Sequence, residues 1–157
     1  MPKPRKEGNP SKVFIDSSVF FAAVLSPSGG SFRIFREARK RDITLYVTLY
    51  VITEVKRGLK MKYPGTLPHF FSFFLHFPIK IIADPSHRSI QQYINLLPAE
   101  DAPILAAAVR AGATYLVTLD KKHFLNPLKS ALLPVAVVTP GEFIEKTFLN
   151  SSLEIHQ

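Results

Sequence analysis

Four acidic residues, Asp16, Glu54, Asp101 and Asp120, stand where strands would leave a sheet or where helices would border a core. Asp120 follows the apolar run Tyr115-Leu116-Val117, bounded by Gly112 upstream and a polar turn downstream, which reads as a buried strand. Asp16 ends a second such run, Lys12 to Ile15. Ligands of open α/β sheets bind beyond the carboxyl ends of the strands, so acids there are placed for chemistry. Carboxylates that converge on one crevice repel and raise one another's pKa values. Divalent cations that prefer oxygen, Mg²⁺ or Mn²⁺, relieve the repulsion and become a reactive centre. Each acid also has a plainer use. Asp120 and Asp101 could cap the helices that follow them, and Glu54 could pair with Arg57 at the surface for only about 0.3 kcal/mol.

The elements that would position these acids alternate along the chain. After the first strand, Val19 to Leu25 is apolar and helical, broken at Ser26-Pro27-Ser28-Gly29-Gly30. Ser31 is a candidate cap for a helix over Phe32 to Arg41, whose Arg39, Lys40 and Arg41 suit a helix C-terminus. A strand over Thr44 to Val47 leads through Thr48 into a helix that reaches about Tyr63 and stops at Pro64-Gly65. On that helix Val51, Ile52, Val55 and Leu59 share one face. Glu54 lies at its edge, with Gly58 one turn on, as a carboxylate looking into a cleft would. A third strand is expected over Ile79 to Ile82, then a helix from Ser86 or His87 to Leu97. Pro103 and Gly112 mark the ends of an almost wholly apolar helix that Asp101 starts. The fourth strand, Thr114 to Leu119, precedes Asp120, and a fifth, Pro134 to Val138, precedes a short final helix. Strands alternating with helices predict a three-layer α/β/α sandwich around a mostly parallel sheet of about five strands.

The segment Thr66 to Phe77 holds F-F-S-F-F-L-H-F, more large apolar side chains than one helix face buries in a small domain. Two readings follow: a helix with one face in the core and another against a partner chain, giving a homodimer, or a helix buried all round. His69 and His76 share a helical face but lack nearby acids, so they make a poor metal site.

A length of 157 residues fits one domain, expected over residues 12–149, with a basic arm before it (1–11) and a tail after it (150–157). There is no cysteine, which removes disulfide frameworks and thiolate zinc sites and points to a cytoplasmic home. The longest uncharged stretch, Tyr63 to Ile79, carries prolines and histidines and falls short of the roughly 20 apolar residues of a spanning helix. A net charge of +8 suits a polyanionic partner, nucleic acid above all. Lys56, Arg57, Lys121 and Lys122 are candidate phosphate contacts, each with a solvated-surface alternative.

Taken together, F-I-D-S-S-V at Asp16, T-E-V at Glu54, E-D-A-P-I-L-A-A-A at Asp101 and L-V-T-L-D-K-K-H-F at Asp120 resemble the PIN domain family. The resemblance runs from about Lys12 to Leu149. It implies a Mg²⁺- or Mn²⁺-dependent ribonuclease, in many relatives the VapC-like toxin of a toxin–antitoxin pair with a cognate antitoxin. It also implies metal-site roles for Asp16, Glu54, Asp101 and Asp120, with supporting hydrogen bonds from Ser17 or Ser18 and from Thr118. There is one departure: many relatives carry a further acid just after the position of Asp120, where this chain has Lys121, Lys122 and His123.

The expected activity is metal-assisted hydrolysis of RNA phosphodiester bonds. Asp16, Asp101 and Asp120 hold the ion, and Glu54 binds a second ion or orients the attacking water. The alternative is a non-catalytic nucleic-acid- or antitoxin-binding module on the same fold. A phosphohydrolase with Asp16 as nucleophile wants further acids where Ser17 and Ser18 stand. A dinucleotide-binding domain lacks its G-x-G-x-x-G turn.

Overall fold

β1 (Lys12–Ile15) is the middle strand of the molecule, and every residue after Lys12 in it is fully buried. Successive side chains of a strand point to opposite faces, so Val13 and Ile15 on one side and Phe14 on the other require cover on both. A computed structural model, describing residues 12–125 and 133–149, shows how that cover is built.

The sheet adds β2 (Thr44–Thr48), β3 (Ile79–Ile82), β4 (Tyr115–Val117) and β5 (Ala136–Val138) in the order β3-β2-β1-β4-β5. Every pairing is parallel, with Phe14 opposite Tyr46 on one side and opposite Leu116 on the other. Parallel neighbours need crossovers, and helices supply the first three: α1 (Ser17–Leu25) and α2 (Gly30–Arg41), α3 (Leu49–Lys62) and α4 (Leu67–His76), then α5 (His87–Gln91) and α6 (Ala102–Arg110), while α7 (Pro140–Ile144) follows the last strand. The result is the expected α/β/α sandwich. Among the described residues no helix is long and apolar enough to cross a membrane. The expected basic arm and tail lie outside the described residues.

Several boundaries differ from those read in the sequence. α1 begins at Ser17 because the Asp16 carboxylate accepts a hydrogen bond from the Ser17 amide at 2.8 Å. α2 begins at Gly30 with Gly29 at its N-cap, and Ser31 is buried inside the helix instead of capping it. The helix expected up to Leu97 stops at Gln91. Beyond it the chain closes four-residue turns, Tyr93 N–H to the Ile90 carbonyl and Leu96 N–H to the Tyr93 carbonyl, both at 3.0 Å. Tyr93 and Leu97 pack on the core while Ile94 and Leu96 are exposed, and Pro98 disfavours a helical Leu97. β4 and β5 are shorter than expected, three residues each. Gly112 does end α6, with φ of 69°, and the Ala113 amide reaches back to the Ala108 carbonyl at 3.2 Å.

Phenylalanine fills the space between α1, α2 and α4. The ring of Phe20 lies 5.1 Å from Phe35, 5.1 Å from Phe70 and 5.6 Å from Phe73, centroid to centroid. α4 therefore buries one face through Phe70 and Phe73, while Phe71 and Leu75 stay 47% and 83% exposed. The all-round buried helix is not what forms. Gly58 also finds its reason here. A Cβ at that position would stand 3.0 Å from the Phe21 ring, so the glycine lets α1 close on α3 and does not open a cleft beside Glu54.

Phe73→Ala should lower unfolding free energy by about 3–5 kcal/mol, whereas Leu75→Ser should change that of the monomer by less than about 0.5 kcal/mol. Urea denaturation of both variants checks the assignment, and equal losses would contradict it.

Candidate functional site

Asp16 has the lowest exposure of any charged residue in the described core, 4%, and sits where β1 turns into α1. Its Oδ2 accepts hydrogen bonds from the Thr118 hydroxyl at 2.7 Å and from the Ser18 hydroxyl at 2.8 Å. The Thr118 oxygen in turn accepts the Asp120 amide at 3.0 Å, and the Ser18 oxygen accepts the Leu119 amide at 3.1 Å. One carboxylate thus anchors the end of β4 and aims the chain that carries Asp120. Thr118 leaves the β4 ladder on the way, although its amide still donates to the Val138 carbonyl at 2.9 Å. Burial pushes the Asp16 pKa up, the three hydrogen bonds from Thr118, Ser18 and Ser17 draw it down, and the Asp120 charge adds to the rise.

Glu54 reaches the same region from the second turn of α3, a helix capped by Thr48, whose hydroxyl accepts the Val51 amide at 3.3 Å. Its pKa is pushed up to about 7, first by partial burial, then by the charge of Asp16. A hydrogen bond from Ser17 and the Arg57 guanidinium oppose that rise, and Asp101 adds to it. Its Oε1 is buried with no hydrogen-bond partner. Asp101 occupies the N-cap position of α6, yet its side chain makes no cap hydrogen bond, so capping does not account for it. Asp120 is half-buried and is followed by a short helical segment, Lys121–Leu125, at whose start the Phe124 amide donates to the Asp120 carbonyl at 3.2 Å.

The acids are linked electrostatically in a chain: Asp120 with Asp16, Asp16 with Glu54, Glu54 with Asp101. Their donor chemistry, hard carboxylate oxygens with an orphaned Glu54 Oε1 among them, fits Mg²⁺ or Mn²⁺. Among the described residues, however, no group of three or more His, Cys, Asp or Glu is drawn into a ready-made cage. The carboxylates stand within reach of one another's field without closing on one point.

Of the cations singled out in the sequence, Arg57 acts on Glu54, and Lys121 and Lys122 are exposed just beyond Asp120. Lys56 faces elsewhere, its Nζ 6.0 Å from the centre of the Phe71 ring on α4. Two residues that sequence reasoning passed over also border the site. Tyr50 donates its hydroxyl proton to the Glu100 carbonyl at 3.1 Å, and Asp84 accepts the Tyr50 amide at 3.1 Å. The one signal for Tyr50 is its place four residues before Glu54, on the same side of α3.

An α/β/α domain that gathers carboxylates at the carboxyl edge of a parallel sheet defines a class of acidic-site proteins. Within it this chain belongs to the PIN domain family, whose model matches residues 12–122. Solved structures share the fold. VapBC2 from Rickettsia felis, bound to a DNA fragment from its promoter, superposes with a TM-score of 0.61 at 16% identity, covering 82% of this chain and 98% of that one. PAE2754 from Pyrobaculum aerophilum gives 0.59 at 16% identity, covering 88% and 96%. VapC20 from Mycobacterium tuberculosis, a sarcin–ricin loop cleaving toxin, gives 0.55 at 12% identity, covering 78% and 98%. None of the curated proteins matches. At such identities the likeness is one of fold.

The raised pKa values fix a sign for stability. Between the ordinary value of 4.5 and about 7, folded Glu54 keeps a proton that the unfolded chain has released. Stability therefore falls as pH rises through that window, and Asp16, also raised, acts in the same direction. Urea denaturation in EDTA at a series of pH values should show this decline, and Glu54→Gln should make it shallower. A variant profile as steep as wild type would remove Glu54 as its source.

Proposed function

We propose that the protein is a metal-dependent endoribonuclease and the toxin of a toxin–antitoxin pair. The observation that carries this reading is the electrostatic chain Asp120–Asp16–Glu54–Asp101 at the carboxyl edge of a PIN domain. Asp16, Asp101 and Asp120 would hold Mg²⁺ or Mn²⁺, with Glu54 binding a second ion or orienting the attacking water. When bound, such an ion neutralises charge on the phosphate and acidifies a water.

The chain's own groups supply the remainder. The hydroxyls of Thr118 and Ser18 hold the Asp16 carboxylate in one orientation, so little reorganisation remains when a cation arrives. Glu54 would accept the proton of the attacking water, its partly buried carboxyl beside the Ser17 hydroxyl. Arg57, Lys121 and Lys122 would position the RNA backbone without reading its sequence, and Lys56 fits this role least because it leans over Phe71. The net charge of +8 favours such a polyanion.

The neighbouring folds support the biological half of the reading. One is a toxin–antitoxin complex on promoter DNA and another is a toxin that cleaves the sarcin–ricin loop. An antitoxin would be the cognate partner of this chain, in the cytoplasm. The exposed Phe71 and Leu75 on α4 would form a homodimer face. A second reading, a non-catalytic nucleic-acid- or antitoxin-binding module, draws on Lys121 and Lys122 standing just after Asp120 and on the open arrangement of the acids.

A cleavage assay separates the two readings. Wild type with Mn²⁺ should cut RNA, EDTA should stop it, and Asp16→Asn should lower the rate at least about a hundredfold. Equal rates in wild type and Asp16→Asn would overturn the nuclease reading. Light scattering should give a dimer mass for wild type and a monomer mass for Leu75→Glu. A wild-type monomer at working concentration would remove the dimer.

A further inference from the structure

Tyr50 is placed like a spacer between the two acids that come from helices. It begins α3, and its amide donates to Asp84 Oδ1 at 3.1 Å, which fixes the start of the helix to the chain leaving β3. Its ring is half-buried against the core. Its hydroxyl donates to the Glu100 carbonyl at 3.1 Å, the peptide directly before Asp101. The turn that presents this carbonyl is tight, with the Asp101 amide on the Pro98 carbonyl at 2.9 Å and the Ala102 amide on the same oxygen at 3.2 Å. Asp84 completes the tie, since its own carbonyl accepts from Arg110 Nη1 on α6 at 3.3 Å. Glu54 lies one turn beyond Tyr50 on the same side of α3, so the phenol spans from the helix of Glu54 to the peptide that orients Asp101.

Resting on the metal-site reading above, we propose that Tyr50 is a positioning residue that sets the separation of Glu54 and Asp101. It touches neither substrate nor ion. It acts through the Glu100 peptide, holding the start of α6 against α3 so that two carboxylates from separate helices face one cation. This deepens the site by one residue outside the acids and the hydroxyls that serve Asp16. Asp101 makes no cap bond to its own helix, so the Tyr50 contact is a restraint on that turn from outside α6.

Tyr50→Phe removes one oxygen and keeps the ring, which leaves packing intact. Mn²⁺ binding, read by electron paramagnetic resonance of the free ion, should weaken about three- to tenfold, the span of one neutral hydrogen bond. Thermal unfolding in EDTA should stay within about 2 °C of wild type. Asp16→Asn serves as the comparison and should lose binding further. If wild type binds Mn²⁺ and Tyr50→Phe binds it within twofold, the positioning role is overturned and the metal site stands. If wild type binds no Mn²⁺, the metal site is overturned and the positioning role goes with it. A Tyr50→Phe variant whose melting falls far below wild type, with unchanged Mn²⁺ affinity, would assign the phenol to folding and also overturn the proposal.

Discussion

A buried carboxylate that must be satisfied is the constraint on which the site depends. Asp16 is almost wholly removed from water at the end of the central strand. A charge there is costly unless hydrogen bonds replace its hydration. The chain answers with the Ser17 amide, the Ser18 hydroxyl and the Thr118 hydroxyl, joined at 3.4 Å by the Ser17 hydroxyl. Two of the donating oxygens then accept the Leu119 and Asp120 amides. The network is closed on its lower side and leaves the next carboxylate, Glu54, partly unsatisfied. Satisfaction of one acid and frustration of its neighbour is the electrostatic pattern expected around a cation site.

The sheet order makes this possible. With β1 in the centre and β4 beside it, the residues after both strands emerge together at one edge. Glu54 comes to that edge because Thr48 starts α3 directly where β2 ends. Asp101 comes from another direction, at the start of α6, the helix that feeds β4. The phenylalanine cluster of α1, α2 and α4 holds the helices of this assembly in register, and its exposed remainder on α4 leaves an apolar face at the surface.

Much of the fold was legible because its signals are local. Short β-rich runs ending in Asp16 or Asp120, a proline in the first turn of α6 and Gly112 at its end each declare a boundary through their own chemistry. β1 and β3 were read with their observed limits. The misplaced boundaries belong to residues whose behaviour is decided elsewhere. Ser31 has the makings of a cap but is buried within α2, and the residues between Gln91 and Pro98 carry a helical pattern yet reach the core through Tyr93 and Leu97 from successive turns. Asp16 and Asp120 stand out by their places at strand ends, Asp101 by its place at a helix start and Glu54 by its place at the edge of an apolar stripe. The roles of Tyr50 and Asp84 were invisible, because both depend on contacts between residues far apart in sequence, Tyr50 with Glu100 and with Asp84. The reason for Gly58 was equally invisible, since its neighbour Phe21 lies on another helix.

The bond from Thr118 to Asp16 joins residues 102 positions apart. Closing so long a loop is entropically slow, and parallel sheets of this topology fold late because their pairings are non-local. During synthesis from the N-terminus, β1 with its carboxylate emerges long before the threonine that anchors it. A nascent chain therefore carries Asp16 and Glu54 before it carries their anchor, and the arrangement of the acids is a property that strand order delays until β4 has joined β1.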